Sequence, residues 1–101
     1  MTTLPRNTSD VMPPTTPSLW AHTPGDAEID LSWGPATDAV TPRQLMRYDI
    51  FLNGVIDHSL VGFEWAVVYG TLGADNTVEV VAVDEAGNRS APATIVVDLR
   101  F

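Results

Sequence analysis

The chain has 101 residues, which is enough for one domain and too few for two. Its 13 acidic and 5 basic residues give a formal net charge of −8, which argues against nucleic acid or an anionic membrane surface as the main partner, because both are bound through clustered cationic side chains. The absence of cysteine excludes disulfides, thiolate zinc sites and cysteine nucleophiles. No apolar run approaches the length of a membrane span, so we expect no membrane insertion.

The N-terminal segment 1–16 differs in composition from the rest of the chain. It is rich in proline, threonine and serine, which is typical of extended backbone without internal hydrogen bonds. We expect this arm to contact a protein partner through its apolar anchors and neighbouring prolines, which are Leu4, Pro5, Val11, Met12, Pro13 and Pro14. It holds no apolar run of signal-peptide length, so we expect a complete short gene product; the alternative is a module cut from a larger secreted protein.

From residue 17 onward, apolar and polar residues alternate with a period of two, which is the pattern of half-buried β-strands. Asn53-Gly54 predicts a tight hairpin, because both central positions need positive φ, and residues 85–88 predict a turn. No ten-residue window has the apolar stripe of a helix. The predicted strands begin at residue 17 and then cover 27–33, 46–52, 55–58, 63–69, 77–83 and 93–99. Seven short strands predict an antiparallel β-sandwich over residues 17–101.

Several of these segments resemble the fibronectin type III domains of bacterial and phage proteins. The segments that carry the resemblance run in family order and are 17–19, 29–33 with Pro35 and Asp38, 48–54 and 80–90. The resemblance implies an immunoglobulin-like sandwich with Trp33 buried in it, and a role in binding, spacing or structure. The family usually has a tyrosine where this chain has Asn76, and that tyrosine's hydroxyl bonds to the backbone. We therefore expect this corner to be built differently.

The sequence contains no pattern that indicates catalysis or a cofactor. His22 and His58 lack the spacing of zinc ligands. The carboxylates of Asp26, Glu28 and Asp30 fit a solvated strand face better than a calcium site. Neither a nucleophile elbow nor a phosphate-binding loop occurs, and a sandwich of this size has little room for a catalytic cleft. We predict no enzymatic activity, no bound metal and no cofactor.

Two surfaces of the sandwich are further candidates for partner contacts. If the apolar residues of the third and sixth strands point inward, then Phe51, Val81 and Val83 point outward and form an apolar patch. The candidates for stacking on a sugar ring, each with an alternative place in the core, are Trp20, Trp65 and Tyr69. Of Phe63 and Trp65, we expect one to lie in the core and the other to be partly exposed.

These features favour a structural protein of a virus particle, namely a bacteriophage head decoration or tail protein. Its arm would bind capsid or tail subunits or further copies of this chain, and a host-surface glycan could be an additional contact. The alternative is an accessory spacer or carbohydrate-contacting module of a secreted bacterial enzyme or adhesin. A third hypothesis is an interaction domain with a single protein partner.

Overall fold

The computed structural model describes residues 10–100, so the predicted contacts Leu4 and Pro5 lie outside the described residues. Within that range the elements are β1 Ser18–His22, β2 Glu28–Gly34, a 3₁₀ turn Arg43–Leu45, β3 Arg47–Leu52, β4 Val55–Val61, β5 Trp65–Tyr69, β6 Asp75–Val83 and β7 Ala93–Asp98. They form a three-stranded sheet, β1-β2-β5, and a four-stranded sheet, β4-β3-β6-β7. Every pairing is antiparallel, which confirms the predicted seven-stranded sandwich.

The core lies between the two sheets and is built from alternate residues of each strand. Ile29 and Trp33 point inward from β2 and meet Tyr48 and Ile50 of β3, and none of these side chains is more than 3% exposed. The rings of Trp33 and Tyr48 have centroids 5.4 Å apart. The buried Tyr48 hydroxyl accepts a hydrogen bond of 3.0 Å from the Ala36 N–H. Trp33 is therefore the core tryptophan, as predicted.

The corner before β6 is built around Asn76, which is fully buried. Its Oδ1 accepts hydrogen bonds from the Thr71 N–H (2.8 Å) and from Asn53 Nδ2 (3.1 Å). Its Nδ2 donates to the carbonyl oxygens of Thr71 (3.0 Å) and Ala74 (3.1 Å), so both ends of the amide are satisfied. A Cβ on Gly70 would lie 2.7 Å from Asn76 Oδ1, so glycine leaves room for this amide. The corner is thus built differently, as expected, with a hydrogen-bonded Asn76 in place of the family's usual tyrosine.

In the β3–β4 hairpin, β4 differs more from its predicted length than any other described strand. Asn53 and Gly54 have φ values of 52° and 83°, as their sequence predicts. The strand was predicted to end at His58 but continues to Val61. A bulge in the β3–β4 register leaves Asp57 without a counterpart, after which pairing with β3 resumes. The extra residue breaks the period-two pattern from which the strand end was predicted.

The described residues include no helix that is long and apolar enough to cross a membrane.

Candidate functional site

The described part of the arm, residues 10–17, lies on its own sandwich. The Thr15 N–H donates to the Thr37 carbonyl oxygen (2.9 Å), and the Thr37 N–H donates to Thr15 Oγ1 (2.8 Å). Asn88 Nδ2 donates to the Asp10 carbonyl oxygen at 2.9 Å. Thr37 lies in the β2–β3 loop and Asn88 in the β6–β7 loop, so the arm is held at one end of the sandwich.

The predicted anchors in this part of the arm have unequal access to a partner. Val11 is 81% exposed and Met12 67%, and Pro13 is also exposed. Pro14 is instead buried within this same chain. Pro14 is therefore not available to a partner, because it packs where the arm lies on the domain.

The predicted apolar patch of Phe51, Val81 and Val83 does not exist as an exposed surface. Val81 is 7% exposed and Val83 2%, and Phe51 is half-buried. Asp49 lies opposite Val81 in the β3–β6 register and on the same face of the sheet. The valines are therefore shielded by the charged residues that lie on this face.

Asp49 is the centre of a charged network on this outer face, although its side chain is only 5% exposed. Arg47 Nε and Arg89 Nη1 each donate to a carboxylate oxygen of Asp49 at 3.1 Å, and Ser59 Oγ donates at 2.8 Å. Burial raises the pKa of Asp49, but these hydrogen bonds and the arginine charges outweigh it and hold the pKa below its ordinary value. We call this outer side of the four-stranded sheet the closed face, because its most buried carboxylate, Asp49, is fully paired.

The outer side of the three-stranded sheet carries three aromatic side chains that are largely in solvent. Trp20 of β1 is 59% exposed, and Trp65 and Tyr69 of β5 are 62% and 67% exposed. Trp20 and Trp65 are both register partners of Ser32, one on each side of β2. Because neighbouring strands lie about 4.8 Å apart, the two tryptophan backbones are roughly 10 Å apart. We call this side the aromatic face.

The exposure of these rings corrects two expectations. Phe63 is 55% exposed and Trp65 62%, so neither lies in the core. Trp20 also does not enter the core. A Cβ on Gly34 would lie 3.9 Å from Trp20 Cζ3, so the six-membered part of the indole lies over Gly34 along the sheet. In this position Trp20 presents a flat apolar surface.

Glu28 and Asp30 occupy the same face of β2, the central strand of this sheet. Asp30 is paired in register with His22 and Val67, and Glu28 with Tyr69. Asp30 Oδ1 is shielded from solvent and has no hydrogen-bond donor. The neighbouring Asp30 side chain is the main cause that raises the pKa of Glu28, partial desolvation adds to it, and the charge of His22 opposes it.

Arginine does not compensate these two carboxylates within residues 10–100. The described arginine–carboxylate ion pairs join Arg43 to Glu64, Arg47 and Arg89 to Asp49, and Arg100 to Asp75 and Asp98. The aromatic face therefore combines exposed rings with carboxylates that lack an arginine partner.

A groove of about 340 Å³ opens beside the aromatic face, between the sheet edges formed by β4 and β5. It is lined by His58, Leu60, Phe63, Trp65, Ala66 and Val67. Trp65 belongs to both surfaces, so the aromatic surface continues around the edge of β5 into this groove.

Three carboxylates that the sequence analysis did not connect meet where the arm lies on the loops. Asp10, Asp38 and Asp84 each place a carboxylate oxygen within 4.8 Å of the others. The Met12 N–H lowers the pKa of Asp10, but partial desolvation and the other two carboxylates outweigh it and raise that pKa. Oxygen donors of this kind suit a hard divalent cation. The three residues are far apart in the chain, so no spacing motif could reveal the group.

The sequence matches no protein-family model and no curated protein. Solved structures with a similar fold include the *Clostridium perfringens* spore cortex lytic enzyme SleM, with a TM-score of 0.72 and 22% identity over 86% of this chain and 29% of that one. They also include the central fibronectin-III array of RIM-binding protein, with a TM-score of 0.67 and 19% identity over 88% of this chain and 36% of that one. A third is the fibronectin type-III domain of human fibronectin type III domain containing protein 3, with a TM-score of 0.63 and 13% identity over 91% of this chain and 93% of that one.

These similarities concern the fold. They confirm the expected resemblance, and the chain folds as a fibronectin type III-like sandwich. The chain spans only 29% of the length of the lytic enzyme.

Proposed function

We propose that this fibronectin type III-like domain is a non-catalytic binding module that contacts polysaccharide through its aromatic face. The observation that carries the proposal is that Trp20, Trp65 and Tyr69 lie on one sheet face with exposures of 59%, 62% and 67%. The core already contains its own aromatic pair, Trp33 and Tyr48. Exposed aromatic rings on one sheet face offer apolar surface that stacks on the apolar faces of sugar rings, and clustered exposed apolar surface often marks a contact site.

The occurrence of this fold in a lytic enzyme supports the same proposal. The similar part covers 29% of the *Clostridium perfringens* spore cortex lytic enzyme, which leaves most of that chain outside the match. By analogy, this domain would be an accessory module of a secreted bacterial enzyme or adhesin. Its location would then be secreted or at the cell surface.

Tryptophan fluorescence offers a direct test, because Trp33 is 3% exposed and serves as an internal background for Trp20 and Trp65. The protein would be titrated with soluble hexasaccharides of glucose, N-acetylglucosamine and glucosamine. We expect at least one to change the emission, and Trp20→Ala and Trp65→Ala each to weaken binding roughly tenfold. Val96→Ala is the control, since Val96 is 58% exposed on the other sheet. A flat titration with all three sugars would contradict the proposal.

A second candidate is the virion protein predicted from the sequence. It is favoured by Val11 and Met12, which remain 81% and 67% exposed although the arm around them lies on the domain. No similarity described above points to a virus particle, so this candidate depends on these two side chains. Val11→Asp with Met12→Asp would abolish incorporation into particles if the arm binds capsid or tail subunits. Full incorporation of that variant would eliminate the arm as the anchor.

A further inference from the structure

We infer that the polysaccharide recognised by the aromatic face carries protonated amino groups, so that the ligand is a cationic amino-sugar polymer rather than a neutral glycan. This inference rests on the proposed function and adds to it the charge of the ligand. It follows from the two carboxylates in the middle of the face and from the spacing of the rings around them.

The charge of the face favours a cation. Glu28 and Asp30 lie on the outer side of β2, between the strands that carry Trp20 and Trp65. The titratable group opposite Asp30 on β1 is His22, and the described arginines all pair with carboxylates elsewhere. The whole chain has a formal charge of −8. An ammonium-bearing ligand is attracted to such a surface, whereas a neutral one only desolvates the carboxylates.

The two carboxylates are arranged so that a shared cation would satisfy them. Asp30 Oδ1 is shielded from solvent without a hydrogen-bond donor. Glu28 and Asp30 lie two residues apart on the same face of β2, so two like charges are neighbours there without an arginine between them. A protonated amino group supplies three N–H donors and one positive charge, which satisfies the unpaired oxygen and removes the repulsion.

The aromatic rings add to the attraction for the same ligand. Tyr69 is the register partner of Glu28 on β5. An ammonium group that approaches the carboxylates therefore also passes near an exposed ring, and cations are attracted to the faces of aromatic rings.

The spacing of the tryptophans favours a sugar polymer over a basic peptide. Trp20 and Trp65 flank Ser32 in unshifted register, so their backbones are roughly 10 Å apart. This separation is comparable to the length of a disaccharide in an extended chain. Two rings so placed can stack on alternate sugars while the amino groups reach the carboxylates of β2.

The test uses two hexamers with the same sugar backbone and linkage, whose amino groups are acetylated and neutral in one and free and cationic in the other. The intact chain would be titrated with the hexamer of N-acetylglucosamine and with the glucosamine hexamer of the same linkage, at a pH at which the amino groups are protonated. We expect the glucosamine hexamer to bind about three- to tenfold more tightly, and the difference to shrink at high salt. Glu28→Gln and Asp30→Asn should each reduce this preference. Glu79→Gln, which removes one charge from the other sheet, should leave it unchanged.

Each remaining outcome has a distinct meaning. Equal binding of the two hexamers would overturn this inference while leaving the proposed function intact. Binding of neither would overturn this inference, and it would overturn the proposed function as well if the glucose hexasaccharide also failed to bind. If hexalysine binds as tightly as the glucosamine hexamer, the face recognises charge alone and the assignment to a sugar is wrong. A folded Glu28→Gln, Asp30→Asn double variant that keeps the full preference would also overturn the inference, and thermal melting of that variant establishes that it is folded.

Discussion

The two outer faces of the sandwich differ in how their central carboxylates are paired. On the closed face, Asp49 is 5% exposed and receives hydrogen bonds from Arg47, Arg89 and Ser59. On the aromatic face, Glu28 and Asp30 lie beside exposed rings, and no described arginine pairs with them.

The difference distinguishes a carboxylate that stabilises the fold from carboxylates that are available to a ligand. A carboxylate surrounded by its own donors has no remaining capacity for a ligand, so the closed face contributes to stability. Carboxylates that lack an arginine partner contribute little to stability, and their oxygens remain able to accept hydrogen bonds from an external cationic group. Exposed rings lie next to these carboxylates, whereas the two valines of β6 beside Asp49 are shielded.

The largest predicted effect comes from breaking the closed face. Asp49→Ala removes the acceptor shared by Arg47, Arg89 and Ser59, and should lower the free energy of unfolding by about 2 kcal/mol, because a buried hydrogen-bonded charge is lost. Chemical denaturation measures this change. Glu28→Ala on the aromatic face is the matched control and should leave the unfolding free energy unchanged. Equal destabilisation by both substitutions would remove the distinction between the faces.

A smaller effect should follow from pH. The pKa of Asp49 is lowered in the folded state from its ordinary value of 3.8, so its contribution is present above that value and is lost as pH falls through the folded-state pKa. The stability advantage of the wild type over Asp49→Asn should therefore be constant near neutral pH and shrink in acid below about pH 4. Denaturation curves at several pH values test this. A wild-type stability advantage that increased as the pH fell would contradict this prediction.

The smallest effect concerns the arm, whose one carboxylate, Asp10, has no arginine partner among residues 10–100. The pKa of Asp10 is raised by desolvation and by the nearby Asp84 and Asp38, against the lowering effect of the Met12 N–H, so ionised Asp10 opposes docking of the arm. Asp10→Asn should slow hydrogen exchange at the Thr15 amide. Asp98→Asn, which changes an exposed carboxylate far along the chain, is the control. Faster exchange in Asp10→Asn would show that the negative charge holds the arm in place.

Much of the fold could be predicted from the sequence because local patterns determine it. The alternation around Trp33 identifies β2, and Asn53-Gly54 identifies the hairpin through its need for positive φ. The end of β4 could not be predicted, because the bulge at Asp57 interrupts the alternation.

The surfaces were harder to predict, since a period of two assigns side chains to faces without showing what covers each face. Val81 and Val83 point outward but are shielded by charged residues from other strands. Trp20 and Trp65 had equally suitable places in the core, and only the completed packing shows them to be exposed. The contact between Asp10 and the loops depends entirely on tertiary structure.

The most direct test of the central claim is a map of backbone amide shifts on titration with the glucosamine hexamer. We predict changes concentrated in β1, β2 and β5, with the largest near Trp20, Ser32 and Trp65, and little change in β3 and β6. Changes centred on the closed face around Asp49, or no changes at saturating ligand, would contradict the claim that the aromatic face is the binding surface.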